Sequence, residues 1–168
     1  MHALKKGDWV FHRLYGIGQV ECIEQKALLG EQTKLYRVEG RDAKFWIPVD
    51  GIDTDRIRPL AKKIRFREIG AVLRKKPEKM KTDFRSRVAD IKERMEDGSV
   101  LALSRLYRDL SGRRKRRNSL TPTEQRIYEQ LQNQIISEWA VVMGISEEQA
   151  LSKLNGYLSD GLAQVAAA

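Results

Sequence analysis

At Pro59 the sequence changes its period, and that change constrains the fold more than any other feature. From Gly7 to about Arg58, short runs rich in β-branched and aromatic residues recur: Trp9-Val10-Phe11, Val20 to Ile23, Leu35 to Val38 and Phe45 to Val49. Turn formers separate them at Tyr15-Gly16-Ile17-Gly18, Gly30-Glu31 and Gly40-Arg41-Asp42, the pattern of strands joined by tight turns. After Pro59 these clusters stop and apolar residues recur at helical spacing. The expectation is a two-domain β + α chain. Residues 1–60 form a small SH3-like or Tudor-like β-barrel of four or five strands, each about five residues long, and residues 61–168 an all-α domain of about five helices. Pro48, which cannot donate to a ladder, should sit at a strand end or a sheet edge.

The helical half has its own punctuation. A first helix over about 62–75 would bury Ile64, Ile69, Val72 and Leu73, and stop at Lys76-Pro77. A second, capped by Thr82 or Asp83, carries Phe84, Val88, Ile91 and Met95 in phase and ends before Gly98. A third begins at Ser99, buries Leu103, Leu106, Tyr107 and Leu110, and breaks at Ser111-Gly112. Thr121-Pro122-Thr123-Glu124 is a capping box with proline at the first helical position. It opens a fourth helix to about Met143, with Ile127, Leu131, Ile135 and Val142 inward and Gly144 as its stop. Ser146 caps a fifth, Glu147 to about Leu158, burying Ala150, Leu151 and Leu154, and the tail beyond should be frayed.

Charge is concentrated in one segment. Basic residues outnumber acidic ones by ten to nine in 1–60 and by twenty to eight in 61–120, but fall to two against six in 121–168. A cationic middle third suits a polyanion, because each phosphate neutralised releases condensed counterions, although a solvated helical face would carry the same charge. No run approaches the roughly 20 apolar residues of a membrane span, and the N-terminus lacks the core of a signal peptide, so a soluble, cytoplasmic protein is expected. Cys22 alone makes no disulfide and reads as an inert buried thiol. With His2 and His12 as the histidines, neither a metal site nor a Cys/His catalytic pair is indicated, and no phosphate-cradling loop precedes a helix. The reading is a binding protein, not an enzyme, with no cofactor.

Three features point to surfaces. Arg85, Arg87, Lys92 and Arg94 alternate around the second helix, and the run Arg113-Arg114-Lys115-Arg116-Arg117 falls in the expected connection before the fourth, where five cations could clamp phosphates without reading bases. Phe84 opens a basic helix, where an apolar wedge could enter a base step. Its phase with Val88 and Ile91 makes burial in the helical core the simpler account. Trp46 would face outward with Lys44 if Phe45 and Ile47 face the core, which would make it an anchor for a protein partner; the opposite register would bury it.

Taken together these residues resemble the CarD/CdnL family. In the first half the resemblance rests on Gly7-Asp8-Trp9-Val10-Phe11-His12, Tyr15-Gly16-Ile17-Gly18, Ile23-Glu24, Gly30-Glu31 and Ile47-Pro48-Val49, a module also found in transcription-repair coupling factor. In the second it rests on Asp83-Phe84-Arg85-Ser86-Arg87, Asp97-Gly98, Leu106-Tyr107-Arg108-Asp109-Leu110, Leu120-Thr121 with Glu124, and Gly144-Ile145-Ser146-Glu147-Glu148. It implies a bacterial transcription regulator whose Tudor-like domain binds the β subunit of RNA polymerase. The helical domain would contact promoter DNA at the upstream edge of the bubble and stabilise the open complex. By position, the polymerase contact falls on Lys26, Leu28 and Trp46, and the DNA contact on Phe84, Arg85 and Arg87, with Lys92 and Arg126 outside them. The family usually has tryptophan where this chain has Phe84 and commonly arginine where it has Trp46, and the 113–117 run is more basic than is usual. A monomer, nucleoid-associated through polymerase, is expected. The alternative is a divergent paralogue acting as a protein adaptor or RNA-binding protein without open-complex activity.

Overall fold

A computed structural model describes residues 3–28, 31–41, 43–50 and 56–165. The chain divides into two compact units, Met1–Leu60 and Ala61–Ala168. The first is a five-stranded antiparallel sheet of β1 (Trp9–His12), β2 (Gly16–Leu28), β3 (Glu31–Gly40), β4 (Lys44–Pro48) and β5 (Ile57–Pro59), in the order β4-β3-β2-β1-β5. Strict alternation in β4 buries Phe45 and Ile47 and exposes Lys44, Trp46 and Pro48, so the period-2 pattern sets the register. Val10, Val20, Tyr36, Val38, Phe45, Ile47 and Ile57 form one core. Because β4 and β5 lie at opposite edges yet feed that same core, the sheet must curl over its inner face.

Two strand expectations change. β2 and β3 are 13 and 10 residues long, far beyond five, and a bulge between Val20 and Cys22 re-aims β2 partway along. The glycine pair is not itself the turn: Gly16 and Gly18 already pair with His12 and Val10, while residues 13–15 turn under amides of Leu14 and Tyr15 that donate to His12 Nδ1. Gly18 is a packing glycine, since a Cβ there would lie 2.5 Å from Val38 Cγ1. Gly30 and Asp42, expected in turns, lie outside the described residues. Pro48 ends an edge strand, where its missing N–H costs nothing. Cys22 is half-buried rather than enclosed.

The second unit has five helices: α1 (Lys63–Leu73), α2 (Phe84–Glu96), α3 (Val100–Arg117), α4 (Pro122–Met143) and α5 (Glu147–Leu162). On α1 the buried face is Phe66, Ile69, Gly70 and Leu73, a 3-1-3 stripe that leaves Ile64 half exposed. The capping box expected at Thr121/Glu124 forms, and Ser146, expected as a cap, makes a second one with Gln149; each pairs two orphan N–H groups reciprocally. Gly112 does not break α3. It lies against Pro77, where a Cβ would come within 2.3 Å of the ring, and the helix runs on to Arg117 and ends at Asn118, whose φ of 56° is left-handed. Nor is the tail frayed as far as Val165: α5 continues to Leu162, Gly161 abuts the carbonyls of Leu73 and Lys75, and Val165 is buried, while residues 166–168 lie outside the described residues.

Charged groups inside this unit tie its helices together. Glu124 is fully buried and accepts from the Thr121 amide at 2.9 Å, from Arg113 Nε at 3.1 Å and from Arg87 Nε. Arg87 also donates to the carbonyls of Lys81 and Thr82, at 2.9 and 2.7 Å. Burial pushes the Glu124 carboxyl up, but the Thr121 N–H, Arg87 and Arg113 together outweigh it and hold it below the usual carboxylate range. Asp109, also fully buried, takes Arg94 at 2.6 Å, Arg108 at 2.8 Å and the Glu78 amide at 2.9 Å.

Glu124→Gln keeps the cap and removes the charge, so it should cost about 3–5 kcal/mol at pH 7 in denaturant unfolding by stranding Arg87. The lowered carboxyl pKa stabilises the fold above the ordinary glutamate value, about 4.3, and that share is lost as pH falls through the lower folded value. The variant should therefore show a flatter loss of stability as pH falls below the ordinary glutamate value. Gly112→Ala should destabilise by at least about 1 kcal/mol despite alanine's better helix propensity, because Pro77 leaves no room. A rise in melting temperature would mean that α3 is not packed on that proline.

Candidate nucleic-acid and protein-binding surfaces

The pairing register places Cys22, Glu24 and Lys26 of β2 on one face with Thr33, Leu35 and Arg37 of β3 and Trp46 of β4. Trp46 faces outward, 40% exposed, opposite Arg37. Its Nε1–H donates to Glu24 Oε2 at 3.0 Å, and Lys26 Nζ stands 3.4 Å from the ring centroid. Arg37 bridges Glu21 and Glu24, so the indole sits in a lattice of alternating charge. The Trp46 hydrogen bond, with the charges of Arg37 and Lys26, lowers the Glu24 carboxyl against the opposing effect of burial. The result is a tryptophan held at one edge and one face that still exposes two-fifths of its surface. Lys26 and Trp46, 20 positions apart in sequence, thus meet. Leu28 ends β2 opposite Glu31, and its side chain lies outside the described residues. Glu24, which carries part of the resemblance, and Arg37 were not singled out as site residues; charged residues on alternate positions of facing strands were the available signal.

The second surface is the start of α2. Asp83 caps the helix by accepting from the Ser86 amide at 2.8 Å, and that bond lowers its carboxyl pKa. Phe84, the first helical residue, is 47% exposed, which overturns the expectation of core burial. The residues of α2 that the core does take are Arg87 and Ile91, on the face turned toward α3 and α4. Arg85 and Lys92 are exposed, and their seven-residue spacing aligns them along one side of α2. Arg126 is exposed on the first turns of α4. Arg87 leaves the candidate contact set: at 2% exposure, with its guanidinium committed to Glu124 and two carbonyls, it has nothing to offer a phosphate. It supports Phe84 instead, 5.8 Å from that ring.

The run at 113–117 is not a connection but the last turns of α3. At about 100° per residue, five consecutive side chains point around the whole helix and cannot close on one phosphate. Arg113 pairs with Glu124, Lys115 donates to the Leu162 carbonyl at 2.7 Å, and Arg116 donates to the Pro77 carbonyl at 2.8 Å. Arg114 lies over the Tyr128 ring at 5.3 Å, with its head group exposed, and Arg117 is exposed. Cations at this position also complement the negative end of the helix. Among the described residues no group of three His, Cys, Asp or Glu could hold a metal ion, and no helix is long and apolar enough to cross a membrane.

Comparison with known proteins covers both units. Residues 4–61 match the family model described as CarD-like/TRCF RID domain, and residues 68–155 match the one described as CarD, C-terminal domain. Over 148 residues the chain is 25% identical to the Bacillus subtilis (strain 168) protein named "Putative transcription factor YdeB", an alignment covering 87% of this chain and 96% of that protein. Matched through both halves, the chain belongs to the CarD family of transcription regulators.

Proposed function

We propose that the sheet unit binds the β subunit of bacterial RNA polymerase through the face bearing Lys26 and Trp46, with Leu28 on the same strand. The helical unit holds promoter DNA at the upstream edge of the transcription bubble through Phe84, Arg85, Lys92 and Arg126, and so stabilises the open complex. The observation that carries this reading is the exposure of Phe84. Burying a phenylalanine is worth about 1.5–3 kcal/mol, and this fold forgoes much of that while burying an arginine one turn away. That exchange, made where Arg85 and Lys92 are also exposed, leaves a ring available for a base step. Arg85 and Lys92 flank it with charge that neutralises phosphates of any sequence. The sheet unit tethers the helical unit near the promoter, raising its local concentration there and turning weak general DNA affinity into a site-directed effect.

On purified bacterial polymerase the wild-type protein should lengthen the lifetime of a promoter open complex. Phe84→Ala should lose that effect while changing stability by no more than about 0.5 kcal/mol. Wild type that binds polymerase and leaves the lifetime unchanged would mark an adaptor instead. Arg85→Ala should weaken DNA binding alike on all sequences and lower the salt slope by about 1. Trp46→Ala should abolish the transcriptional effect and leave free DNA binding as it was. Exchanged phenotypes would refute the division of labour.

A further inference from the structure

Residues 74–83 join α1 to α2 without helix or strand, yet side chains fix their backbone along its length. The Glu78 amide donates to Asp109, Arg116 donates to the Pro77 carbonyl, and Arg87 donates to the carbonyls of Lys81 and Thr82. Between this segment, α2 and α3 lies a concavity of about 390 Å³. Five cations line it: Lys79 and Lys81 from the segment, Arg94 from α2, and Arg105 and Arg108 from α3. Glu78 and Asp90 are the carboxylates at its wall, so the lining carries three positive charges in excess.

We propose that this concavity is a binding site for a phosphoryl group. Its floor is built rather than incidental: Arg108, 4% exposed, and Arg94 are both oriented by the buried carboxylate of Asp109. Above them, Lys79 and Arg105 are exposed, with neither a hydrogen bond nor an ion pair among the described residues. The contacts that would have to yield are weak ones. Glu78, whose side chain is 78% exposed, reaches Arg108 at 3.3 Å, and Asp90 stands 3.6 Å from Lys81 and 3.9 Å from Arg94. A phosphoryl group, with more charge and up to three acceptor oxygens, outcompetes a single solvated carboxylate at a fork of arginines. The cavity is large enough for a polyphosphate or for one backbone phosphate with its sugar. The site is separate from Phe84, and its existence does not depend on the polymerase reading.

The test compares two double variants of the full-length chain, Lys79→Ala with Arg105→Ala, and Lys62→Ala with Lys63→Ala. The second pair removes equal charge from exposed positions at the start of α1. Calorimetric binding of sodium tripolyphosphate, at constant ionic strength against a sodium chloride control, probes the free ligand; anisotropy of a labelled duplex across a salt series probes the nucleic-acid backbone. The site is supported if either probe is weakened in the Lys79/Arg105 pair and not in the Lys62/Lys63 pair. For a backbone phosphate the duplex salt slope should fall by about 2 in the first pair, and tripolyphosphate should displace the duplex. For a free polyphosphate, tripolyphosphate binding should be lost while the duplex is held as before. If both pairs behave alike with both probes, the concavity has no special affinity and the proposal fails.

Discussion

The helical unit depends on one buried carboxylate. Glu124 closes the N-terminus of α4 and pairs with Arg87 of α2 and Arg113 of α3, so a single side chain serves as cap, counter-ion and junction of three helices. Each role alone is ordinary. Together they make every partner's burial conditional on the others, because an arginine at 2% exposure is tolerable only beside that charge. The same arginine holds the carbonyls of Lys81 and Thr82, which fixes the end of the connection where α2 begins. The position of Phe84 on the surface is therefore set by an ion pair rather than by apolar packing.

What was legible in the sequence was whatever local rules govern. Alternation in Lys44-Phe45-Trp46-Ile47-Pro48 puts Trp46 and Lys44 on one face, without saying which face is buried, and the capping box at Thr121/Glu124 is written within four residues. What was not legible depends on a partner far along the chain. Gly112 looks like a breaker until Pro77, 35 positions earlier, is seen to occupy the space a Cβ would need. Arg87 looks like a DNA contact until Glu124 is placed beside it. Ile64 and Phe66 belong to competing stripes on α1, and only packing selects Phe66 with Ile69 and Leu73. The expected end of α5 near Leu158 is overrun because the bareness of Gly161 lets the helix approach the carbonyls of Leu73 and Lys75.

Counting charges locates a basic region without saying which cations are free. The densest run, 113–117, spends Arg113, Lys115 and Arg116 on a carboxylate and on backbone carbonyls, two of them at the C-terminal ends of helices or in the connection beyond. The sparser segment 74–83 keeps Lys75, Lys76, Lys79 and Lys81 exposed on a backbone that the rest of the unit pins. A fixed backbone matters for a polyanion surface, since charges that hold their spacing lose less entropy when they engage than charges on a floppy loop. By that criterion the segment is better suited to phosphate than the run that draws the eye.

The two exposed aromatics differ in a way that bears on the proposed division of labour. Trp46 is held by a hydrogen bond to Glu24 and by the ammonium of Lys26, so its ring is oriented before any partner arrives. An oriented anchor on a sheet binds with little further ordering, which suits a stable protein–protein contact. Phe84 has no polar handle, is 47% exposed, and has the Arg87 guanidinium 5.8 Å from its ring. A half-exposed phenylalanine offers a face to a base step without the indole's larger stacking area and its N–H. A pre-oriented anchor on the sheet unit and an exposed ring on the helical unit are the two surfaces that the proposed tether and bubble contact call for.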